Sequence, residues 1–331
     1  MKNLTLVAAL ATALPAATLA DTLIVANKYD HTLSFIDLDT GQEVARRATG
    51  VAPHEVALSP DQSQVVVVSY LEDGFIGREL HVFDIATTEP VRAIDIDPHL
   101  APHGIAWLGD SNDVIVTTEE TRDVIRVDVT HGKVTGVAPT DQIGSHLLAL
   151  SPDHSRAYVT SRGSDTLSVI DTADMTTLKT IATDEGPEAV FASPDGNEVW
   201  VGNNQAQTIH IFDAETMERL ETLDMGFIPI RVRFNPAGDA VAVADLTGSR
   251  VLILDPADRS QRAVIDLNAF DLERPPSLLF SPDGAHLYVG SELSEKVAEI
   301  DTATWQVTRL LDAGAGADGL EISSVKAVPV S

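Results

Sequence analysis

The sequence predicts an all-β fold: a seven-bladed β-propeller of four-stranded blades, with the last blade closed by the N- and C-terminal strands. Three observations carry that prediction. A Ser-Pro-Asp-Gly turn or a variant recurs at Ser59-Pro60-Asp61, Ser151-Pro152-Asp153, Ser193-Pro194-Asp195-Gly196, Asn235-Pro236-Ala237-Gly238 and Ser281-Pro282-Asp283-Gly284, with a weaker copy at Leu108-Gly109-Asp110. Strand-like runs end in Asp at Asp37, Asp84, Asp128, Asp171, Asp213, Asp255 and Asp301, spaced by 47, 44, 43, 42, 42 and 46 residues. The two ends of the chain carry complementary pieces of one such unit.

Each element has a physical reason. Proline presets φ at the second turn position, and glycine closes the turn where a side chain would clash. The runs that follow, such as Ala157-Tyr158-Val159-Thr160 and Val199-Trp200-Val201-Gly202, are β-branched or aromatic and suit strands. The aspartate that ends a strand can accept backbone amides of the next turn, so the seven aspartates read as structural. A period of 42–47 residues is that of a propeller blade. Closing seven blades in a ring covers the end faces that an open stack would expose.

The ends show how the ring closes. The chain opens with a second-strand segment, Leu23-Ile24-Val25-Ala26, and a third, Leu33-Ser34-Phe35-Ile36. It finishes with a first-strand segment, Gly319-Leu320-Glu321-Ile322-Ser323. With no break in composition, residues 21–331 are expected to form one domain. Residues 1–20 differ: Lys2, an apolar run over 4–14, then Thr18-Leu19-Ala20 before Asp21. That is the pattern of a cleaved secretory signal peptide. It is too short to span a bilayer, which takes about 20 apolar residues, and no later segment is apolar enough to insert in a membrane. The expected location is periplasmic or secreted, and the expected state a monomer.

The 331 residues contain no cysteine, which excludes disulfides, thiolate metal sites and a lipid-modified cysteine. The net charge is −28, from 22 basic and 50 acidic side chains. Such a surface repels phosphate backbones, so nucleic acid is not expected as a partner.

Tyr158-Val159-Thr160-Ser161, the Ser-Pro-Asp-Gly turns and Val169-Ile170-Asp171-Thr172 resemble the YVTN-repeat β-propeller family, YncE-like exported proteins included. The resemblance covers residues 22–325. It implies the propeller fold and leaves the chemistry open, because function resides in sites and not in folds.

Blades superpose, so residues at one repeat position form a ring about the central axis. Five places before each turn serine the ring reads His54, His103, His146, Glu188, Ile230, Pro276 and, from the C-terminus, Asp318. Three of the ten histidines thus fall in three successive blades, flanked by two carboxylates. Imidazole with carboxylate is the donor set of Zn, Mn, Fe, Ni or Cu. His54, His103, His146 and Glu188 are therefore candidate ligands of a divalent metal ion, with solvated channel histidines as the alternative. A second ring, just past the second strand, reads Lys28, Tyr70, Glu119, Arg162, Asn204, Leu246 and Glu292. Glu188, Asp318 and Glu119 are candidate general acids, bases or ligand-orienting groups. Arg162, with Lys28 and Arg231, is a candidate partner for an anionic substrate. Residues 71–79, with Gly74 and Gly77, read as a loose loop or a mobile lid.

Two functions follow as expectations. One is a metal-assisted hydrolase, lyase or oxidase acting on a small molecule at the channel mouth. The other is a non-catalytic binding or scaffold protein that uses a propeller face for a protein partner.

Overall fold

A computed structural model describes residues 21–72 and 74–328. The leader read at residues 1–20 lies outside the described residues. The chain forms seven four-stranded antiparallel sheets. Blade 1 is built from both ends: Ala317–Ser323 is its innermost strand, followed outward by Thr22–Asn27, Thr32–Asp37 and Gln42–Ala48. The pairing runs Thr22↔Ser323, Leu23↔Ile322, Ile24↔Glu321 and Val25↔Leu320. The innermost strands of blades 2 to 7 are Pro53–Leu58, Pro102–Trp107, Ser145–Leu150, Pro187–Ala192, Pro229–Phe234 and Leu278–Phe280. Among the described residues the one helical element is the short 3-10 turn Asn268–Phe270, between blades 6 and 7.

Burial explains the strand sequences. Second and third strands are covered on both faces by neighbouring blades, so Thr22–Asn27 and Val241–Asp245 are buried at every position. Outermost strands face solvent and alternate, as in Lys133–Pro139. The core therefore lies between blades. Leu23, Val25, Ile36, Leu320 and Ile322 of blade 1 pack with Tyr288, Val297 and Leu311 of blade 7. All seven strand-ending aspartates accept backbone amides of the following turn, for example from Asp39 to Asp37 at 2.9 Å and from Thr304 to Asp301 at 2.8 Å.

Two local features position the site. In the innermost strands the ladder with the second strand breaks just after the first residue, as between Pro53 and Val56 or between Ser145 and Leu148. The bulge frees the intervening residue from the pleat and re-aims its side chain. His54, His103, His146, Glu188 and Ile230 all occupy it. In blade 7 Pro276 precedes the strand and has no N–H to donate, consistent with pairing that starts only at Leu278. The second feature corrects the sequence reading of residues 71–79. The strands Gln64–Glu72 and Phe75–Asp84 continue as a two-stranded ribbon, pairing Leu71↔Ile76 and Glu72↔Phe75. A bulge between Ser69 and Leu71 carries the ribbon off the blade, and Gly77 is needed there because a Cβ would overlap the Ser69 carbonyl.

A candidate binding site at the channel mouth

The bulged residues converge on one end of the central channel. There they line a cavity of about 470 Å3 together with the second ring of residues. His54, His103, His146, Glu188, Asp318 and Arg162 all face it. Ile228, Ile230, Leu246 and Pro276 form an apolar wall opposite. Lys28, Arg274 and Glu292 lie at the rim, where Glu292 accepts from the Tyr29 hydroxyl at 2.6 Å and from Arg274 Nε at 2.8 Å.

The three histidines differ in their bonding. His146 is held between two carboxylates. Its Nδ1 donates to Glu119 Oε2 at 2.8 Å, and its Nε2 lies 3.3 Å from Glu188 Oε1. Burial opposes the charged form. The Glu188 charge and the hydrogen bonds of both carboxylates outweigh it and raise the imidazole above its ordinary value. The two carboxylates thus favour the imidazolium form of His146. In return, against a burial penalty that acts upward, His146 holds both Glu119 and Glu188 down at about 2. Glu119 also accepts from Tyr70 Oη at 2.6 Å and from Arg162 at 2.9 Å, and Glu188 accepts from Asn204 at 2.8 Å. Glu119 sits behind the cavity wall and ties Tyr70, Arg162 and His146 together.

His54 and His103 are neutral. Burial pushes both well below the usual imidazole range, helped by the Lys28 charge at His54 and the His146 charge at His103. Nδ1 of His54 donates to the Ala52 carbonyl at 3.0 Å, which leaves the Nε2 lone pair free, 4.0 Å from Asp318 Oδ2. His103 makes no hydrogen bond to any described residue, and its Nδ1 is fully buried. Its ring stacks on His146 with centroids 3.6 Å apart and touches Tyr70 edge-on at 4.6 Å.

The floor is a charge pair that spans the channel. Arg231 of blade 6 donates to Glu55 of blade 2 at 2.8 Å and to the Pro276 carbonyl at 3.0 Å. Asp318 lies 3.8 Å from Arg231, and its Oδ1 has no hydrogen-bond partner among the described residues. Burial and the Glu55 charge raise its carboxyl to about 7, with Arg231 pulling the other way.

The structure places the four candidate ligands side by side. His54, His103, His146 and Glu188 are brought together, but His146 and Glu188 are spent on each other. Among the described residues no group of three or more His, Asp or Glu side chains is disposed to hold a metal ion. Sequence reasoning missed Glu55, Tyr29 and Arg274. Glu55 follows His54 directly, and the ring one place further on, which also contains Arg231, was the signal for it.

A family model described as "Cytochrome D1 heme domain" matches residues 97–281, more than half of the chain. The chain belongs to the cytochrome D1 heme domain family. The hydrazine synthase of Kuenenia stuttgartiensis has a similar structure, with a TM-score of 0.73 over 85% of this chain and 92% of that one. At 20% identity that similarity concerns the fold alone. No curated protein matches the sequence significantly. In this member of the cytochrome D1 heme domain family the matched residues run from just before blade 3 to the end of the blade 7 inner strand. His103, His146, Glu119, Arg162, Glu188 and Arg231 therefore lie within the match, while His54, Glu55 and Asp318 lie outside it. Among the described residues no helix is long and apolar enough to cross a membrane.

Proposed function

We infer that the channel mouth binds a heme-type tetrapyrrole. One observation carries the reading: His54 and His103, kept neutral by burial, line the cavity with the His54 Nε2 lone pair and the whole His103 ring free of hydrogen bonds to any described residue. A buried polar atom without a partner costs about 1–3 kcal/mol, so a fold that keeps one beside a cavity favours a ligand there. The remaining donor set fits the group. The Nδ1–H of His54 bonds a backbone carbonyl, the outer-shell arrangement that orients a metal-bound imidazole. Lys28, Arg162 and Arg274 supply cations at the rim for peripheral carboxylates, and Ile228, Ile230, Leu246 and Pro276 offer an apolar face. The cavity volume is within the range of small-molecule sites.

When bound, heme would supply a redox-active iron. The chain's own residues do the rest. His54 and His103 would hold the group through their imidazole nitrogens. The Glu119–His146–Glu188 array fixes the wall on which His103 stacks. Asp318, with its carboxyl at about 7, holds or releases a proton beside His54 near neutral pH. Of the four residues expected to be catalytic, Asp318 alone has this property. Glu119 and Glu188 stay ionised, and Arg162 stays charged. A bare divalent ion on His54, His103, His146 and Glu188 has less support, because His146 has no free nitrogen.

Export completes the reading, on the strength of the leader-like residues 1–20, as does the closer kinship to YVTN-repeat proteins carried by Tyr158-Val159-Thr160-Ser161. The test is a titration of the purified protein with hemin and with heme d1, followed in the Soret region. One saturable site is expected, weakened at least tenfold in the variant carrying both His54→Ala and His103→Ala. Absence of saturable binding, or equal binding by that variant, overturns the reading.

A further inference from the structure

The opposite mouth of the channel opens into a second cavity of about 540 Å3. Arg231 and Glu55 line both cavities, so their ion pair is the partition between them. Three places beyond the histidine level, the ring of inner-strand residues reads Ala57, Ala106, Ala149, Phe191, Arg233, Leu279 and Glu321. The three alanines occupy the same three blades as the three histidines and leave a hollow on that side. Arg233 is on the other side of the ring. Its guanidinium carbon lies 4.8 Å from the centre of the Phe191 ring, a cation–π contact. Its Nε donates to the Leu278 carbonyl at 3.1 Å.

The two terminal nitrogens of Arg233 donate to no described residue, and no described carboxylate lies within the 4.0 Å of an ion pair. Arg231, one turn of the pleat away, has two partners for the same group. An arginine at the wall of a cavity, with its two terminal nitrogens unengaged, is arranged for an anion. The fork matches a carboxylate in two parallel hydrogen bonds. Glu321 is the nearest objection, since it lines the same cavity. Burial lifts its carboxyl to about 7, so at neutral pH it is protonated part of the time and opposes an anion less than an ordinary glutamate would.

The geometry points to a second ligand site at this mouth, for a small monocarboxylate with a flat or slender apolar body. The carboxylate pairs with the Arg233 fork, and the body lies along Phe191 and enters the alanine hollow. No part of this depends on the occupant of the histidine-lined mouth.

Calorimetric titration of the intact protein with benzoate and with hexanoate tests the proposal. Saturable one-to-one binding is expected for at least one of them. Arg233→Met should weaken it at least tenfold. Ala149→Leu, which fills the hollow and leaves the charge in place, should do the same without lowering the melting temperature. His103→Ala should leave it unchanged. Trp107 lines this cavity, so its fluorescence should change on binding and the change should vanish in Trp107→Phe. Failure of both carboxylates to bind, undiminished binding by Arg233→Met, or equally tight binding of inorganic phosphate would each overturn the proposal.

Discussion

His103 stacks on His146 with ring centroids 3.6 Å apart and planes inclined by 28°. Burial favours the neutral form of His103, whereas Glu119 and Glu188 on either side favour the charged form of His146. The ring of His146 is thus engaged at both nitrogens, and the ring of His103 beside it makes no hydrogen bond to any described residue. Blade order alone makes them neighbours; what separates their roles is the second ring of residues, where the Glu119 carboxylate bonds His146 while Tyr70 touches His103 only edge-on, without a hydrogen bond.

The carboxylate clamp makes stability depend on pH in a defined window. The raised folded-state value of His146 means its contribution is complete below the unfolded value near 6.5 and is lost as pH rises through the folded value. Glu119 and Glu188 are shifted down, so their contribution is complete above about 4.5 and is lost as pH falls towards 2. The clamp is at full strength between those limits. His146→Gln should cost about 3–5 kcal/mol at pH 5.5, as removal of one partner from a buried ion pair does. Denaturant unfolding at pH 5.5 and 9 checks this, and a gap that does not narrow at the higher pH would contradict it.

Asp318 shifts in the opposite direction to Glu119 and Glu188. Its carboxyl is raised to about 7, so the folded state binds the proton more tightly than the unfolded chain does, near 3.8. Its contribution is whole below pH 3.8 and turns unfavourable as pH rises to 7 and beyond. Asp318→Asn should therefore melt higher than the natural protein at pH 8, by roughly 2–4 °C for each kcal/mol recovered, and nearly level with it at pH 4. A lower melting point at pH 8 would show that Arg231 depends on Asp318 more than the 3.8 Å separation implies.

The pair across the channel should behave as a unit. Arg231→Met strands the Glu55 charge and should cost about 3–5 kcal/mol. Adding Glu55→Leu removes the stranded charge, and the double variant should recover most of the loss. Unfolding free energies of the four proteins give the coupling directly, and additive losses would mean that the two residues act independently.

Closure of the ring depends on a residue without a side chain. A Cβ on Gly319 would overlap the His54 carbonyl oxygen, because the inner strands of blades 1 and 2 touch there. Gly104 is under the same constraint, with the His146 carbonyl 2.8 Å from an added Cβ. Gly319→Ala should lower stability by about 1–3 kcal/mol or more, as overpacking does. A thermal melt indistinguishable from that of the natural protein would place the closing strand elsewhere.

The fold was legible because its signals are local and repeated. Prolines, turn glycines and the strand-ending aspartates act within a few residues of themselves, and seven copies reinforce one reading. The two site rings were legible for the same reason, since a fixed repeat position is a fixed place about the axis. The clamp was not. His146 reads like His54 and His103 in sequence, each heading an inner strand, and only the approach of Glu119 and Glu188 from the neighbouring blades distinguishes it. The ribbon at residues 71–79 was missed because glycines in a polar stretch fit a loop and a bulged hairpin equally well.

The sequence by itself determined seven blades, the joining of the ends and which side chains would meet at each level of the channel. These follow from turn chemistry, strand period and ring geometry, which need no knowledge of a partner. Tertiary structure alone decided which of the gathered groups are free. That depends on distances between side chains from different blades, on burial that favours neutral imidazole at His54 and His103, and on carboxylates near enough to reverse that preference at His146. Charge and hydrogen bonding act over a few ångströms, and no spacing along the chain records them.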